Sequence, residues 1–240
     1  MLKYNQEIKI EFRDVDKGLK LKINSLSEYM QEAAGNHIDI LGANFSYEGN
    51  EFFWVISRSK ITLNAYPNWK DRIIVETYPS GVDRLFIMRN YNIYNEQNQI
   101  IGQMIGSYLL MDKFNQKPVR PTDLSNTKLN TFIYPYKGEF LDKIKPEGDL
   151  IREDTRHAKQ NEMDINNHMN NIFHVRWSVD MFTSDELAVN PIKSIQTNYI
   201  LPVKEGCELN LKLYKKDENT FYVIAYSKEE KAFWQSKIAF

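Results

Sequence analysis

The run Asp164-Ile165-Asn166-Asn167-His168-Met169-Asn170-Asn171 packs a carboxylate, four carboxamides and an imidazole into eight residues. Asp164, Asn166 and His168 alternate at a spacing of two, so an extended segment would project all three to one side. The apolar residues Ile172, Phe173, Val175, Trp177, Val179 and Phe182 follow at once and predict a helix near 168–183. A polar loop feeding a helix N-terminus offers free backbone N–H groups and the positive end of the helix dipole. An oxyanion could be stabilised there, beside an acid/base group. The plain alternative is a polar loop with an Asn cap.

Other chemistries find less support. Cys207 is the single cysteine, which excludes an intrachain disulfide and fits a reducing compartment. As a nucleophile it would need a base within hydrogen-bond reach, and it follows a Gly turn. His157, His168 and His174 lack the paired spacing of zinc ligands, and there is no Gly-rich phosphate loop. No metal, nucleotide or other cofactor is therefore expected. A formal net charge of −1 argues against nucleic-acid binding, which needs a sustained basic surface. The N-terminus lacks the apolar run of a signal peptide, and no stretch is long and apolar enough to span a bilayer. A cytoplasmic protein without membrane insertion is expected.

The elements that must position the polar run fall into two similar halves. Residues 25–42 predict a long helix, with Ser25 and Glu28 at the spacing of a capping box and Gly42 as a C-terminal cap. Leu26, Tyr29, Met30, Ala33, Ala34, His37, Ile38 and Leu41 form its apolar stripe. A short strand near 4–12 precedes this helix. Segments near 52–64, 71–79, 84–95 and 99–112 follow, rich in strand-forming residues and divided by turn sequences. A strand near 149–157, the helix after His168, and strands near 193–201, 207–215, 220–228 and 231–239 repeat the order. Proline-containing residues 114–147 lie between, with little periodicity. The expected fold is α+β, with two antiparallel sheets each wrapped around a long central helix.

With these elements in place the chain resembles the acyl-acyl carrier protein thioesterases, a family with a tandem hotdog fold. In the first half the resemblance rests on Tyr29-Met30-Gln31-Glu32-Ala33-Ala34-Gly35-Asn36-His37, Trp54-Val55-Ile56-Ser57-Arg58 and Tyr66-Pro67-Asn68-Trp69-Lys70-Asp71. Arg89-Asn90-Tyr91 and the run from Gly106-Ser107-Tyr108 to Met111-Asp112 extend it, and the Asp164–Asn171 run carries it in the second half. It implies an N-terminal hotdog over 1–125 holding the acyl chain, a linker over 126–147, and a C-terminal hotdog over 148–240 with the catalytic motif. It also implies hydrolysis of a fatty acyl thioester on acyl carrier protein, with Asp164, Asn166 and His168 as catalytic or substrate-orienting groups. The family adds a glutamate in a tyrosine-x-x-glutamate context. Tyr199-Ile200-Leu201-Pro202 puts Pro202 at that position, so Glu205, three residues on, is the candidate for additional acid/base work.

Thioester hydrolysis asks for an activated water or nucleophile, an oxyanion site and a dry slot, because a thiolate leaves without obligatory protonation. Asp164 is the candidate for polarising water or for direct attack, Asn166 for orientation, and His168 for sharing the base role. Met30, Ala33, Ala34, Ile38 and Leu41 are the candidate acyl-binding positions, or else plain core. His37, on the same stripe, reads as a core histidine. Lys113, Lys117, Arg120 and Lys128 are either a solvated loop or a patch that steers an acidic carrier protein. An acyl-coenzyme A thioesterase of the same fold and a non-catalytic acyl-binding module are the rival readings. A homodimer is optional, since tandem halves can complete one another within a chain.

Overall fold

The computed structural model describes residues 3–43, 51–121 and 128–240. Among the described residues ten strands follow the period-two segments: β1 Tyr4–Lys9, β2 Phe52–Leu63, β3 Arg72–Asp83, β4 Phe86–Tyr94, β5 Ile100–Asp112, β6 Asp149–His157, β7 Ser194–Tyr199, β8 Glu208–Lys215, β9 Thr220–Tyr226 and β10 Ala232–Ala239. Among the described residues the α-helices are α1 Ile23–Ile40, α2 Asn171–Val179 and α3 Ser184–Val189.

The expectation of two antiparallel sheets, each wrapped around a long central helix, is overturned. All ten strands form one sheet in the order β1-β3-β4-β5-β2-β7-β10-β9-β8-β6. Taken inward from each edge, β1-β3-β4-β5-β2 and β6-β8-β9-β10-β7 are the same arrangement, and they meet at an antiparallel seam. There Arg58 lies opposite Asn198, Lys60 opposite Gln196 and Thr62 opposite Ser194. Left apart, β2 and β7 would each expose a row of unpaired backbone groups, and pairing them satisfies both edges. Apolar alternation sets which face of a strand is buried but says nothing about which edges meet.

The helices also differ from expectation. α1 begins at Ile23, with no side-chain cap at Lys22, and Ser25 lies buried within the first turn instead of capping it. The second helix is not continuous over 168–183. It stops at Val179, and Thr183 starts α3: its hydroxyl accepts from the Glu186 N–H at 3.2 Å while the Glu186 carboxylate accepts from the Thr183 N–H at 2.6 Å. Leu26, Met30 and Ala33 of α1 share one core with Val175 and Trp177 of α2, with Ile61, Val75, Ile195, Leu211 and Trp234 of the sheet beneath them. The core runs unbroken across the seam.

The connection between halves is partly docked. Val82 and Tyr134–Tyr136 exchange backbone hydrogen bonds of 2.8 and 3.0 Å. The chain then crosses the face opposite the helices, where Arg58 donates to the Leu141 carbonyl at 2.7 Å and Gln196 to the Asp142 carbonyl at 2.8 Å. Of the basic residues Lys113, Lys117, Arg120 and Lys128, the side chain of Lys128 lies outside the described residues.

Candidate active site

The run from Asp164 to His168 folds as a closed turn, not an extended strand. Met163 and Met169 form an isolated antiparallel bridge that shuts its base. Inside it the Asp164 N–H donates to the His168 carbonyl at 2.7 Å and the Asn167 N–H to the Asp164 carbonyl at 3.0 Å. Asp164 Oδ1 accepts from the Asn166 N–H at 2.8 Å and from the His168 N–H at 3.3 Å. Asn167 takes φ of 57°, the left-handed conformation that asparagine tolerates better than most residues. The Met169 N–H, bonded to the Val203 carbonyl at 2.8 Å, ties the turn to the chain after β7.

At the start of α2, Asn170 is the cap: its side-chain oxygen accepts from the Ile172 N–H at 3.2 Å, and its carbonyl from the Phe173 N–H at 2.9 Å. The helix therefore offers an incoming oxyanion fewer free donors than a bare terminus would. Helical geometry leaves the first four N–H groups without internal partners, and among these the one on Asn171 is not taken up by Asn170 or Glu162.

A cavity of about 670 Å³ opens beside this turn. Ser27, Gln31, Ala34, Gly35 and Ile38 line one wall, a single face of α1. At 1.5 Å rise per residue that face runs roughly 16 Å. Trp54, Ile56, Ile87, Arg89, Tyr91, Met104 and Tyr108 of the sheet form the opposite wall, with Tyr199 from the second half. Met163, Asp164, Ile165, Asn166, Asn170 and Asn171 complete the lining at the turn.

Of the candidate residues, Asp164, Asn166, Ala34 and Ile38 thus face one cavity. His168 is half-buried and outside the lining. Met30 and Ala33 are fully buried in the main core, and Leu41 packs in a smaller cluster with Ala43, Ile87, Leu110 and Phe132. Glu205 is exposed in the turn before β8, also outside the lining. His37 is fully buried, stacked on Tyr4 with ring centroids 5.9 Å apart, and its Nδ1 accepts from Arg89 Nη1 at 3.2 Å. Because a guanidinium only donates, that bond leaves Nδ1 of His37 bare of a proton.

The polar side of the cavity was not singled out from the sequence. Arg89 is 5 % exposed, and Tyr91 and Tyr108 share a hydroxyl–hydroxyl bond of 2.9 Å. Tyr199 shares one of 3.2 Å with Ser59. Tyr108 and Tyr199 face the cavity, and desolvation by the protein packed around them pushes both phenols up, so they stay protonated donors. The alternation Ile87, Arg89, Tyr91, Ile93 was the available signal, since it sets an arginine on the inward face of β4. His174, behind Tyr199, stands edge-on to Tyr199 and Trp234 with centroids 5.2 and 4.7 Å away, and burial holds its pKa down to about 4.

A helix pair laid over one antiparallel sheet, with a cavity opening at an Asp-x-Asn turn, is a slot walled by apolar and aromatic side chains that ends at a carboxylate. The acyl-ACP thioesterase N-terminal domain matches residues 1–125 and the C-terminal domain residues 149–238, so the chain belongs to that family. It is 21 % identical over 212 residues to the chloroplastic palmitoyl-acyl carrier protein thioesterase of Gossypium hirsutum, covering 82 % of this chain and 51 % of that protein. It is 20 % identical over 222 residues to the oleoyl-acyl carrier protein thioesterase of Coriandrum sativum, covering 82 % and 58 %. The chain thus spans about half the length of the curated relatives it matches. Among solved structures, an acyl-ACP thioesterase from Bacteroides thetaiotaomicron superposes with a TM-score of 0.88 at 24 % identity, covering 99 % of this chain and 97 % of that one. The 12:0-ACP thioesterase from Umbellularia californica gives 0.87 at 16 % identity, covering 100 % and 97 %. At these identities the superpositions show a shared fold.

Proposed function

We infer that the protein hydrolyses the thioester of fatty acyl-acyl carrier protein, releasing free fatty acid and carrier protein. The observation that carries this reading is the placement of Asp164 and Asn166 on the wall of a long cavity in a chain of this family. The α1 wall, with Ala34, Gly35 and Ile38, takes the acyl chain, and the thioester lies at the turn.

Oδ1 of Asp164 is held by two backbone N–H groups, while Oδ2 accepts no hydrogen bond from a described residue. A carboxylate fixed by one oxygen and open at the other is suited to polarise a water, or to attack the carbonyl itself. The Asn166 carboxamide orients water or thioester, and the Asn171 N–H with it receives the developing oxyanion. His168 supports the turn through its backbone, and its imidazole is the second candidate for the base role. Glu205 would have to leave its exposed turn to take part, so the weight falls on Asp164. The acyl carrier protein as partner, a cytoplasmic setting and an optional homodimer go with this reading.

The test is release of free thiol from acyl-acyl carrier proteins of graded length, with acyl-coenzyme A esters alongside. Turnover that is faster on the carrier protein and peaks at one length supports the reading. Release from coenzyme A esters alone would reassign the donor, and intact thioester throughout would leave a binding module.

A further inference from the structure

The cavity wall formed by β4 and β5 is not built for a plain hydrocarbon. Arg89 is 5 % exposed, yet its side-chain hydrogen bonds among the described residues both leave from Nη1: one to His37 Nδ1 and one to Thr77 Oγ1, each 3.2 Å. Neither partner is anionic, and among the described residues no carboxylate forms an ion pair with Arg89. The remaining guanidinium nitrogens, on a side chain that lines the cavity, have donors to spare. Beside them the Tyr91–Tyr108 hydroxyl pair adds capacity to donate and accept, and Tyr199 adds a further hydroxyl to this polar lane of the cavity lining.

A methylene chain lying along this lane would strip water from a charged guanidinium and from phenols without returning an acceptor. Leaving such buried donors unmet is costly, most of all when one is charged. An oxygen on the acyl chain removes that cost. Resting on the thioesterase reading, we propose that Arg89, Tyr91 and Tyr108 form a polar subsite within the acyl cavity that selects an oxygen-bearing acyl group. Arg89 supplies the charge-assisted donor and Tyr108 the neighbouring hydroxyl. The oxygen that meets them is a hydroxyl or oxo group along the chain, or a carboxylate at its end.

The experiment measures kcat/KM for thiol release from acyl carrier proteins carrying chains of one length: saturated, 3-hydroxy, 3-oxo, mid-chain hydroxy, and terminally carboxylated. The expected result is that at least one oxygenated chain exceeds the saturated chain by roughly tenfold or more, the discrimination that one charge-assisted hydrogen bond supports. Its identity separates a carboxylate from a neutral oxygen as the recognised group. The ratio should fall toward one in Arg89→Met, and in Tyr108→Phe, which keeps the ring and removes only the hydroxyl. Melting temperatures check that each variant folds. A saturated chain turned over as fast as every oxygenated one overturns the subsite and leaves the thioesterase reading intact. So does a preference untouched by both variants. Where no thioester is cleaved, calorimetric binding of the matching free acids reads the same preference without needing activity, and equal affinities then overturn the subsite independently.

Discussion

Asp16 and Asp164 close the same turn in the two halves of the chain. Asp16 Oδ1 accepts from the N–H groups of Gly18 and Lys20 at 2.8 and 3.0 Å, as Asp164 Oδ1 does from those of Asn166 and His168 at 2.8 and 3.3 Å. Val15 and Leu21 form a bridge matching that of Met163 and Met169, and Leu19 takes φ of 60° where Asn167 takes 57°. Each turn then enters a helix on the sheet. The turn is thus a property of the architecture, and only the second copy carries its aspartate on the cavity wall. Asp164→Asn keeps an oxygen for the two N–H groups but removes the charge. Turnover should drop on the order of 10²-fold or more, the scale of a lost general base. Asp16→Asn, the same chemical change at the exposed copy, should stay within about twofold. Thiol-release kinetics on both variants check this, and equal losses would mean that Asp164 acts only through the turn.

Asn166 and His168 separate by where their side chains stand. Asn166→Ala removes a carboxamide from the cavity wall and should lower kcat by at least about tenfold with little change in KM, because its role is realised in the transition state. His168→Ala leaves intact the backbone N–H and carbonyl that shape the turn, so the protein should fold and any loss reports on the imidazole. A drop of about tenfold or more is expected. Normal turnover in His168→Ala would confine that residue to its backbone role.

Leu209, Leu211 and Leu213 alternate with polar neighbours, and β8 follows them because only one strand face is buried. The seam was not legible: Arg58, Lys60 and Thr62 meet Asn198, Gln196 and Ser194 through backbone bonds that no side-chain pattern announces. Asp164 and Asn166 were picked out by residue type. Their turn was not, since it depends on a positive φ at Asn167 and on Asp164 bonding its own backbone, which the period-two spacing hides. The inward position of Arg89 on β4 follows from simple alternation, but the open donors of its guanidinium do not, since they depend on which side chains pack around it.

Asn170 couples stability to the site. Its side chain satisfies the Ile172 N–H, and truncating it should leave that donor to water. Asn170→Ala should therefore lower the unfolding free energy by about 1 kcal/mol, the usual worth of an N-cap. Thr183→Ala, which removes the cap of α3 on the surface, should cost a similar amount or less. Urea unfolding of both variants measures it. A neutral result for Asn170→Ala would show that the start of α2 is held by the Asn170 N–H bonded to the Glu162 carbonyl at 2.8 Å, and not by its cap.

His174 should make stability depend on pH below neutrality. Its ring is buried beneath Tyr199 and Trp234, its Nδ1 lies 3.3 Å from the Asn170 carbonyl, and its pKa falls from 6.5 to about 4 chiefly through lost hydration. Between those values the unfolded chain binds a proton that the folded chain refuses. Stability therefore rises with pH across this window: the contribution is complete above about pH 6.5 and is lost as pH falls toward 4. From pH 7.5 to 5 the loss from this one group is about 2 kcal/mol. Carboxylates also titrate in acid, so the informative comparison is with His174→Gln, which cannot titrate. Unfolding free energies of both proteins at pH 7.5 and 5 should show the parent losing about 2 kcal/mol more than the variant. Parallel losses would mean that His174 accepts its proton without leaving the folded state.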